Sequence, residues 1–281
     1  MHFQQQTQEP RKVSGLFSIP ARKGKPRTAG LTEIRGPYYT PVGKRYLEDV
    51  FETMGEHIDS LKFAGGAFTL MPPAVLEEII ALAHSYRVLV STGGFIEFVA
   101  TRGRAAVKEY LKACEVVAFD IVEISAGFIS IPVADYIWLI KAVKEIGLKA
   151  KAEVGIQFGA GAASPVEALE AEGTQSVEWA IERAKRFLDA GAFQIMLESE
   201  GVTEKVRAWR TEVPARFASA VGLENLMFEA ADPEVFTWYV KSFGPDVNLF
   251  IDHSQIVQLE ALRRGIWGSS DMWGRVASLG D

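Results

Sequence analysis

A chain of 281 residues with 48% hydrophobic, 11% aromatic and 23% charged content can bury one large core under a well-charged surface. That excludes disorder, collagen and a small disulfide scaffold as overall descriptions. A net charge of −6 is the wrong sign for an electrostatic nucleic-acid binder, and the single cysteine, Cys114, has no partner for an internal disulfide. No run of about 18 apolar residues is present to span a bilayer. We expect a cytoplasmic protein without nucleic-acid or membrane partners.

Residues 1–28 stand apart, with Arg11, Lys12, Arg22, Lys23, Lys25 and Arg27 against Glu9 alone. Pro10, Pro20 and Pro26 work against the amphipathic helix of a transit peptide, and MHFQQQTQEP has no apolar signal core. These residues therefore read as a flexible or surface-draped basic arm. From residue 29 the chain alternates. β-Branched or apolar runs occur at 30–36, 59–65, 87–92, 119–125, 148–155, 193–199, 225–230 and 247–253, which makes eight candidate strands. Between them lie helical spacings such as Leu47/Val50/Phe51/Met54, Leu76/Ile79/Ile80, Tyr136/Leu139/Ile140/Val143 and Val235/Trp238/Tyr239. Gly147, Gly191, Gly222 and Gly244 close several of these units. Eight βα units without a dividing linker predict one α/β domain over 29–268, a (β/α)8 TIM barrel, followed by a tail at 269–281. A doubly wound sheet is the competing arrangement, but residues 35–43 carry no dinucleotide-binding glycine pattern. The Gly/Ala-rich stretch after strand five, 155–174, reads either as a mobile βα loop or as a surface insertion.

In a barrel the carboxyl ends of all strands meet on one face, so residues distant in sequence converge there. Those ends carry Glu123, Glu153, Glu198, Glu229 and Asp252, with Glu97 just after the Gly93-Gly94 turn. Carboxylates crowded into one mouth repel each other unless a cation compensates, and oxygen donors without Cys or paired His favour Mg²⁺. We therefore expect a metal or polar site at these carboxylates. Individually, each of them is equally explained as a helix cap or an ion-pair partner. Arg35, Lys62, Lys151 and Arg263-Arg264 supply cations suited to an anionic substrate, and the Gly65-Gly66 and Gly93-Gly94 amides can receive phosphate. His253, beside Asp252, reads as an acid or base or as an ordinary loop histidine.

The blocks DSLKFAGG (59–66), VSTGGFIEF (90–98), FDIVEISAG (119–127), AEVG (152–155), FEA (228–230) and VNLFIDHSQIVQLEALRRGIWG (247–268) together resemble the phosphosulfolactate synthase family, called ComA in methanogens. RGPYYT (35–40), LEDVFETMG (47–55), GGAFTLMP (65–72) and GPDVNLFIDHSQ (244–255) look most like its heat-stress-associated 32-kDa branch. The resemblance implies a (β/α)8 lyase that adds sulfite to phosphoenolpyruvate with Mg²⁺, giving (2R)-phospho-3-sulfolactate for coenzyme M synthesis. On this sequence it implies Lys62 as acid or electrophile, with Glu97 and Glu123 as further catalytic groups, and some of Glu123, Glu153, Glu198 and Glu229 as the metal ligands. Arg35, Gly65, Gly66, Gly93, Gly94, Ser125, Asp252, His253 and Arg263 would bind substrate. Departures from the family pattern occur at Ala126, at Ile156/Gln157 and in ESEGVT (198–203), each removing a charged group. Two alternatives follow: a related barrel enzyme on another phosphorylated enol or keto acid, and a non-catalytic protein acting through protein contacts. A homo-oligomer is expected, as is common for such barrels.

Overall fold

In a computed structural model, residues 20–158 and 165–266 are described. The first nineteen residues of the basic arm, part of the 155–174 loop and the tail beyond 266 lie outside them. Eight strands, β1 (Thr32–Arg35), β2 (Ser60–Lys62), β3 (Leu89–Ser91), β4 (Ile121–Ile124), β5 (Lys149–Val154), β6 (Gln194–Leu197), β7 (Leu226–Glu229) and β8 (Leu249–Asp252), fall inside the eight predicted runs. All pair in parallel in sequence order, and β8 returns to β1 in the register Ile34↔Ile251, which closes a barrel. The helices are α1 (Lys44–Met54), α2 (Pro73–Ser85), α3 (Ile96–Ala100), α4 (Arg104–Val117), α5 (Val133–Glu145), α6 (Val166–Glu172), α7 (Val177–Asp189), α8 (Glu212–Val221), α9 (Pro233–Phe243) and α10 (Ile256–Arg263). None of them is long and apolar enough to cross a membrane.

The period of two along each strand divides the molecule into two interiors. Outward residues Ile34, Leu61, Val90, Val122, Ile124, Ala152, Val154, Ile195, Leu197, Phe228 and Ile251 join helix residues such as Phe51, Ile79, Leu111, Ile140, Phe187 and Phe236 in one buried cluster. Inward residues are of a different kind. Met196, Met227 and Phe250 form a small separate apolar cluster, while Glu33, Lys62, Glu123 and Lys151 are buried and charged. The shell between strands and helices therefore supplies most of the apolar burial, and the barrel lumen is free to hold charge.

The amino ends of the strands form the floor, and the described part of the arm lies against it. Arg22 pairs with Glu260 at 3.1 Å and donates to the Gly30 carbonyl at 2.6 Å, while Arg27 pairs with Asp59 at 3.1 Å. Arg263, expected at the substrate, is on this floor. Its guanidinium donates to the carbonyls of Gly30 at 2.6 Å and Val247 at 2.7 Å and to Thr32 Oγ1 at 3.1 Å. The physical reason is direction: α10 runs antiparallel to the strands, so its last turn reaches the end of the barrel opposite the strand carboxyl ends. Arg263→Met should therefore leave KM within about twofold, yet cost roughly 3 kcal/mol in urea unfolding, because several buried carbonyls lose their donor.

Candidate active site

The carboxyl ends of the strands open into a cavity of about 660 Å³. Arg35, Lys62, Gly65, Gly94, Glu97, Glu123, Ser125, Glu153, Glu198 and Glu229 line it, so most of the sequence-predicted site residues meet in one place. At its base runs a chain of alternating charge. Lys62 Nζ lies 2.5 Å from Glu123 Oε1, Lys151 Nζ lies 2.9 Å from the other Glu123 oxygen, and Lys151 also pairs with Glu33. All four side chains are nearly inaccessible to water. Burial alone lowers the Lys62 pKa, but Glu123, Glu229, Glu33 and Glu153 outweigh it and raise the pKa above the ordinary lysine range. Burial likewise raises Glu123, and Lys151 and Lys62 overcome that and hold it below the usual carboxylate value. Lys62 is thus a fixed ammonium and Glu123 a fixed carboxylate. The ammonium also sits 4.2 Å from the centre of the Phe250 ring, on the inward face of β8.

Arg35, at the end of β1, donates to Glu229 Oε1 at 2.8 Å across the barrel mouth. Glu153 and Glu198 differ from Glu123 and Glu229, since neither has an ion pair among the described residues. Burial and the facing Glu123 carboxylate push Glu153 up to about 8, with Lys62 opposing. Burial, Glu229 and Glu153 push Glu198 well above its ordinary value. Glu198 Oε1 accepts from the Glu200 amide at 3.0 Å. The expected four-carboxylate metal centre is therefore reduced. No group of three or more Asp, Glu, His or Cys among the described residues is placed to hold an ion together. Glu123 is committed to two lysines and Glu229 to Arg35. An uncompensated Glu153/Glu198 pair still suits Mg²⁺, which takes one or two protein carboxylates and completes its shell with water and substrate oxygens.

Three other expectations change on contact with the structure. Glu97 faces the pocket but is occupied: Oε1 accepts from Ser125 Oγ at 2.6 Å and from Gly127 N at 3.1 Å, and Oε2 accepts from Phe128 N at 2.8 Å. It ties the β4–α5 loop to α3. Asp252 turns back to accept from Ser254 N at 3.0 Å and Ser254 Oγ at 2.6 Å, and His253 Nδ1 meets the Tyr46 hydroxyl at 2.8 Å. Both act as local staples after β8, outside the pocket lining. Gly66 and Gly93 take positive φ and are packed where a Cβ would strike the Phe95 ring and the Phe63 carbonyl, so they serve close packing, while Gly65 and Gly94 face the cavity.

Sequence reasoning missed Glu33, Glu200, Glu204, Lys205, Tyr38 and Phe250. Lys205 has a detectable signal in the structure, a non-glycine residue at φ +52 lining the pocket, a conformation that needs support from its surroundings. It lies two residues beyond the segment 198–203 and brings a cation to that wall. Glu33 offered no signal, because a carboxylate in the middle of a short strand reads equally well as solvent-facing.

Comparisons with known proteins place the chain in a family. Residues 20–269 match the family model described as (2R)-phospho-3-sulfolactate synthase (ComA). The chain is 34% identical over 252 residues to Protein HEAT-STRESS-ASSOCIATED 32 of Arabidopsis thaliana, covering 86% of this chain and 88% of that protein. It is 27% identical over 255 residues to phosphosulfolactate synthase of Methanocaldococcus jannaschii, covering 88% and 95%. Among solved structures, the carboxyl transferase domain of Rhizobium etli pyruvate carboxylase superposes with a TM-score of 0.56 at 11% identity, covering 80% of this chain and 40% of that one. That likeness concerns the barrel alone. With the family match running from the arginines under the floor to the end of the last helix, the chain belongs to the (2R)-phospho-3-sulfolactate synthase (ComA) family.

Proposed function

We propose that this protein is a Mg²⁺-dependent carbon–sulfur lyase that adds sulfite to phosphoenolpyruvate to give (2R)-phospho-3-sulfolactate. The observation that carries the reading is the Lys62 ammonium, fixed by Glu123 at the bottom of an open pocket with Arg35 at its rim. In the reaction the sulfite lone pair forms the S–C3 bond, the C2=C3 π pair moves onto the carboxylate, and a proton then reaches C2. Charge thus builds on the carboxylate, where preorganised cations stabilise the transition state more than the ground state. Lys62 takes the position of that cation and carries the proton for C2. Arg35, Lys205 and the backbone at Gly65 and Gly94 receive phosphate or the incoming sulfonate oxygens, and Ser125 adds a hydroxyl. Glu153 and Glu198 would hold Mg²⁺, which would supply a further positive charge against the negative charge that develops.

The decisive assay is anaerobic incubation of the protein with phosphoenolpyruvate, sulfite and Mg²⁺, followed by ³¹P NMR, with EDTA as control. A new phosphosulfolactate resonance that disappears with EDTA supports the reading, and its absence from folded protein sinks it. Metal holding is tested separately by melting. Mg²⁺ should raise the thermal midpoint of the native protein by a few degrees and leave a Glu153→Gln/Glu198→Gln variant unmoved, since a ligand stabilises only the fold that binds it. A second reading, an enzyme acting on another phosphorylated enol or keto acid, draws on the charge of the site. Seven glutamates line the pocket against Arg35, Lys62 and Lys205. Turnover of such an acid, without phosphosulfolactate formation, would select it.

A further inference from the structure

We propose that Lys205 is the phosphoryl anchor of the pocket, so that the substrate lies with its carboxylate toward Lys62 and its phosphoryl group on the wall formed by the β6–α8 loop. The inference rests on the reading above and deepens it by fixing which end of the substrate meets which wall. Among the described residues that line the cavity, three are cations: Arg35, Lys62 and Lys205. Two of them are already neutralised, Lys62 by Glu123 at 2.5 Å and Arg35 by Glu229 at 2.8 Å. Lys205 has no ion pair or hydrogen bond among the described residues. Glu204, its neighbour in sequence, accepts from Ser199 Oγ at 2.8 Å instead. Residues 159–164, the part of the strand-five loop outside the described residues, read GAGAAS and contain no carboxylate to offer it. A doubly charged phosphoryl group binds most strongly to a cation that no carboxylate already holds.

The backbone holds this lysine in place. The Ser199 carbonyl accepts from the amides of Val202 at 2.9 Å, Thr203 at 2.9 Å and Glu204 at 3.0 Å, and the Gly201 amide donates to the Glu204 carbonyl at 2.9 Å. Arg210 closes the turn, donating to the Gly201 carbonyl at 2.9 Å, and Ser199, Val202 and Thr203 are buried. Out of this turn the chain leaves through Lys205 at φ +52, a conformation that side chains other than Asn, Asp and His rarely take. Glycine would adopt it more easily, so a lysine there costs the fold something, and such a residue beside a pocket points to function. The chemistry separates the two ends of the substrate. The phosphoryl charge is the same before and after the S–C3 bond forms, so a cation on it strengthens ground and transition states alike. Sulfite loses electron density as its lone pair forms that bond, and a cation paired with it would stabilise the reactant more than the transition state. Neutral donors therefore suit sulfite better. In the closed order of eight strands β6 stands opposite β2, which leaves the backbone at Gly65 and Gly94, across the opening, for sulfite.

The test uses 2-phosphoglycolate, which has the carboxylate and phosphoryl ester of phosphoenolpyruvate without its methylene, beside glycolate, which lacks the phosphoryl group. Both are titrated calorimetrically into the intact protein in Mg²⁺. Lys205→Gln should weaken phosphoglycolate by about tenfold or more and leave glycolate within about twofold, and Lys205→Arg should bring phosphoglycolate back to within about threefold of the native value. Lys205→Gly should weaken phosphoglycolate as much as Lys205→Gln does while leaving the thermal midpoint no lower, which separates a ligand role from a structural one. Rising KCl should weaken phosphoglycolate in the native protein, and less steeply in Lys205→Gln. Native phosphoglycolate affinity in Lys205→Gln, an equal loss for glycolate, or no phosphoglycolate binding by the native protein would overturn the anchor. A loss of sulfite affinity in Lys205→Gln with phosphoglycolate unaffected would overturn it too, placing Lys205 at the sulfite end. The lyase reading is scored separately, by ³¹P NMR with phosphoenolpyruvate and sulfite. Product from the native protein together with undiminished phosphoglycolate affinity in Lys205→Gln sinks the anchor alone, whereas weakened phosphoglycolate without any product sinks the lyase alone.

Discussion

Lys62→Met is expected to lower kcat for sulfite addition by roughly a thousandfold, with a much smaller change in KM. In the proposed reaction the side chain touches the position where charge develops, and removing a positioned proton donor with an electrostatic role costs about this much. Met preserves the apolar stem under Phe250, so the packing loss is small. Steady-state kinetics separates the two parameters, and circular dichroism confirms the fold. A variant retaining more than a tenth of the native kcat would remove Lys62 from the chemistry. The pH dependence has a definite sign. A lysine whose folded pKa is raised contributes stability in full below the unfolded value of about 10.4, and loses it only as pH climbs through the folded value. Since the carboxylates around Lys62 raise its pKa against the opposing effect of burial, neither the stability it adds nor its protonated form should decline below about pH 10. An alkaline limb of kcat near neutrality that vanished in Lys62→Met would contradict the assignment.

Lys151→Met should be the most damaging single change to stability, at about 3–5 kcal/mol in chemical denaturation. Lys151 is 1% exposed and Glu33 is fully buried, and Lys151 is the cation between Glu33 and the second oxygen of Glu123. Taking it away leaves two buried carboxylates with one lysine at the far end of the chain, and a buried charge without its partner costs several kcal/mol. The double variant Lys151→Met/Glu33→Gln should recover a substantial part of the loss, because it removes one stranded charge along with its partner. Additive losses in that double-mutant cycle would mean that the two side chains do not interact energetically. Activity provides a second readout. With Glu123 no longer held from behind, the Lys62 ammonium loses its fixed orientation, and kcat should fall together with stability.

The barrel was legible because burial writes itself into short apolar runs at regular intervals. The eight predicted runs contain the eight strands, and the helical spacing around Leu47, Ile79, Ile140 and Val235 marks the faces that cover them. The acidic mouth was legible as well, since strand carboxyl ends converge in any closed parallel barrel and Glu123, Glu153, Glu198 and Glu229 stand at or beside those ends. Roles were less visible than positions. Glu97 looks the same in sequence whether it meets a substrate or three donors from the neighbouring loop. Asp252 and His253 sit at a strand end like the true lining residues, and only the backbone turn after β8 directs them elsewhere.

The sequence by itself determined the strand order, the end of the barrel that carries the carboxylates and the presence of Lys62 among them, because these follow from local pattern and from one rule of topology. Which charges meet was decided only by the tertiary structure. Glu33 and Lys151 are 118 residues apart, and nothing local pairs them. They meet because alternating side chains from strands across the lumen face each other once the barrel closes, where low polarity makes an unpaired buried charge costly. The same closure carried Arg263 to the floor, left Glu153 and Glu198 with no ion pair among the described residues, and gathered aromatics from three loops around one opening.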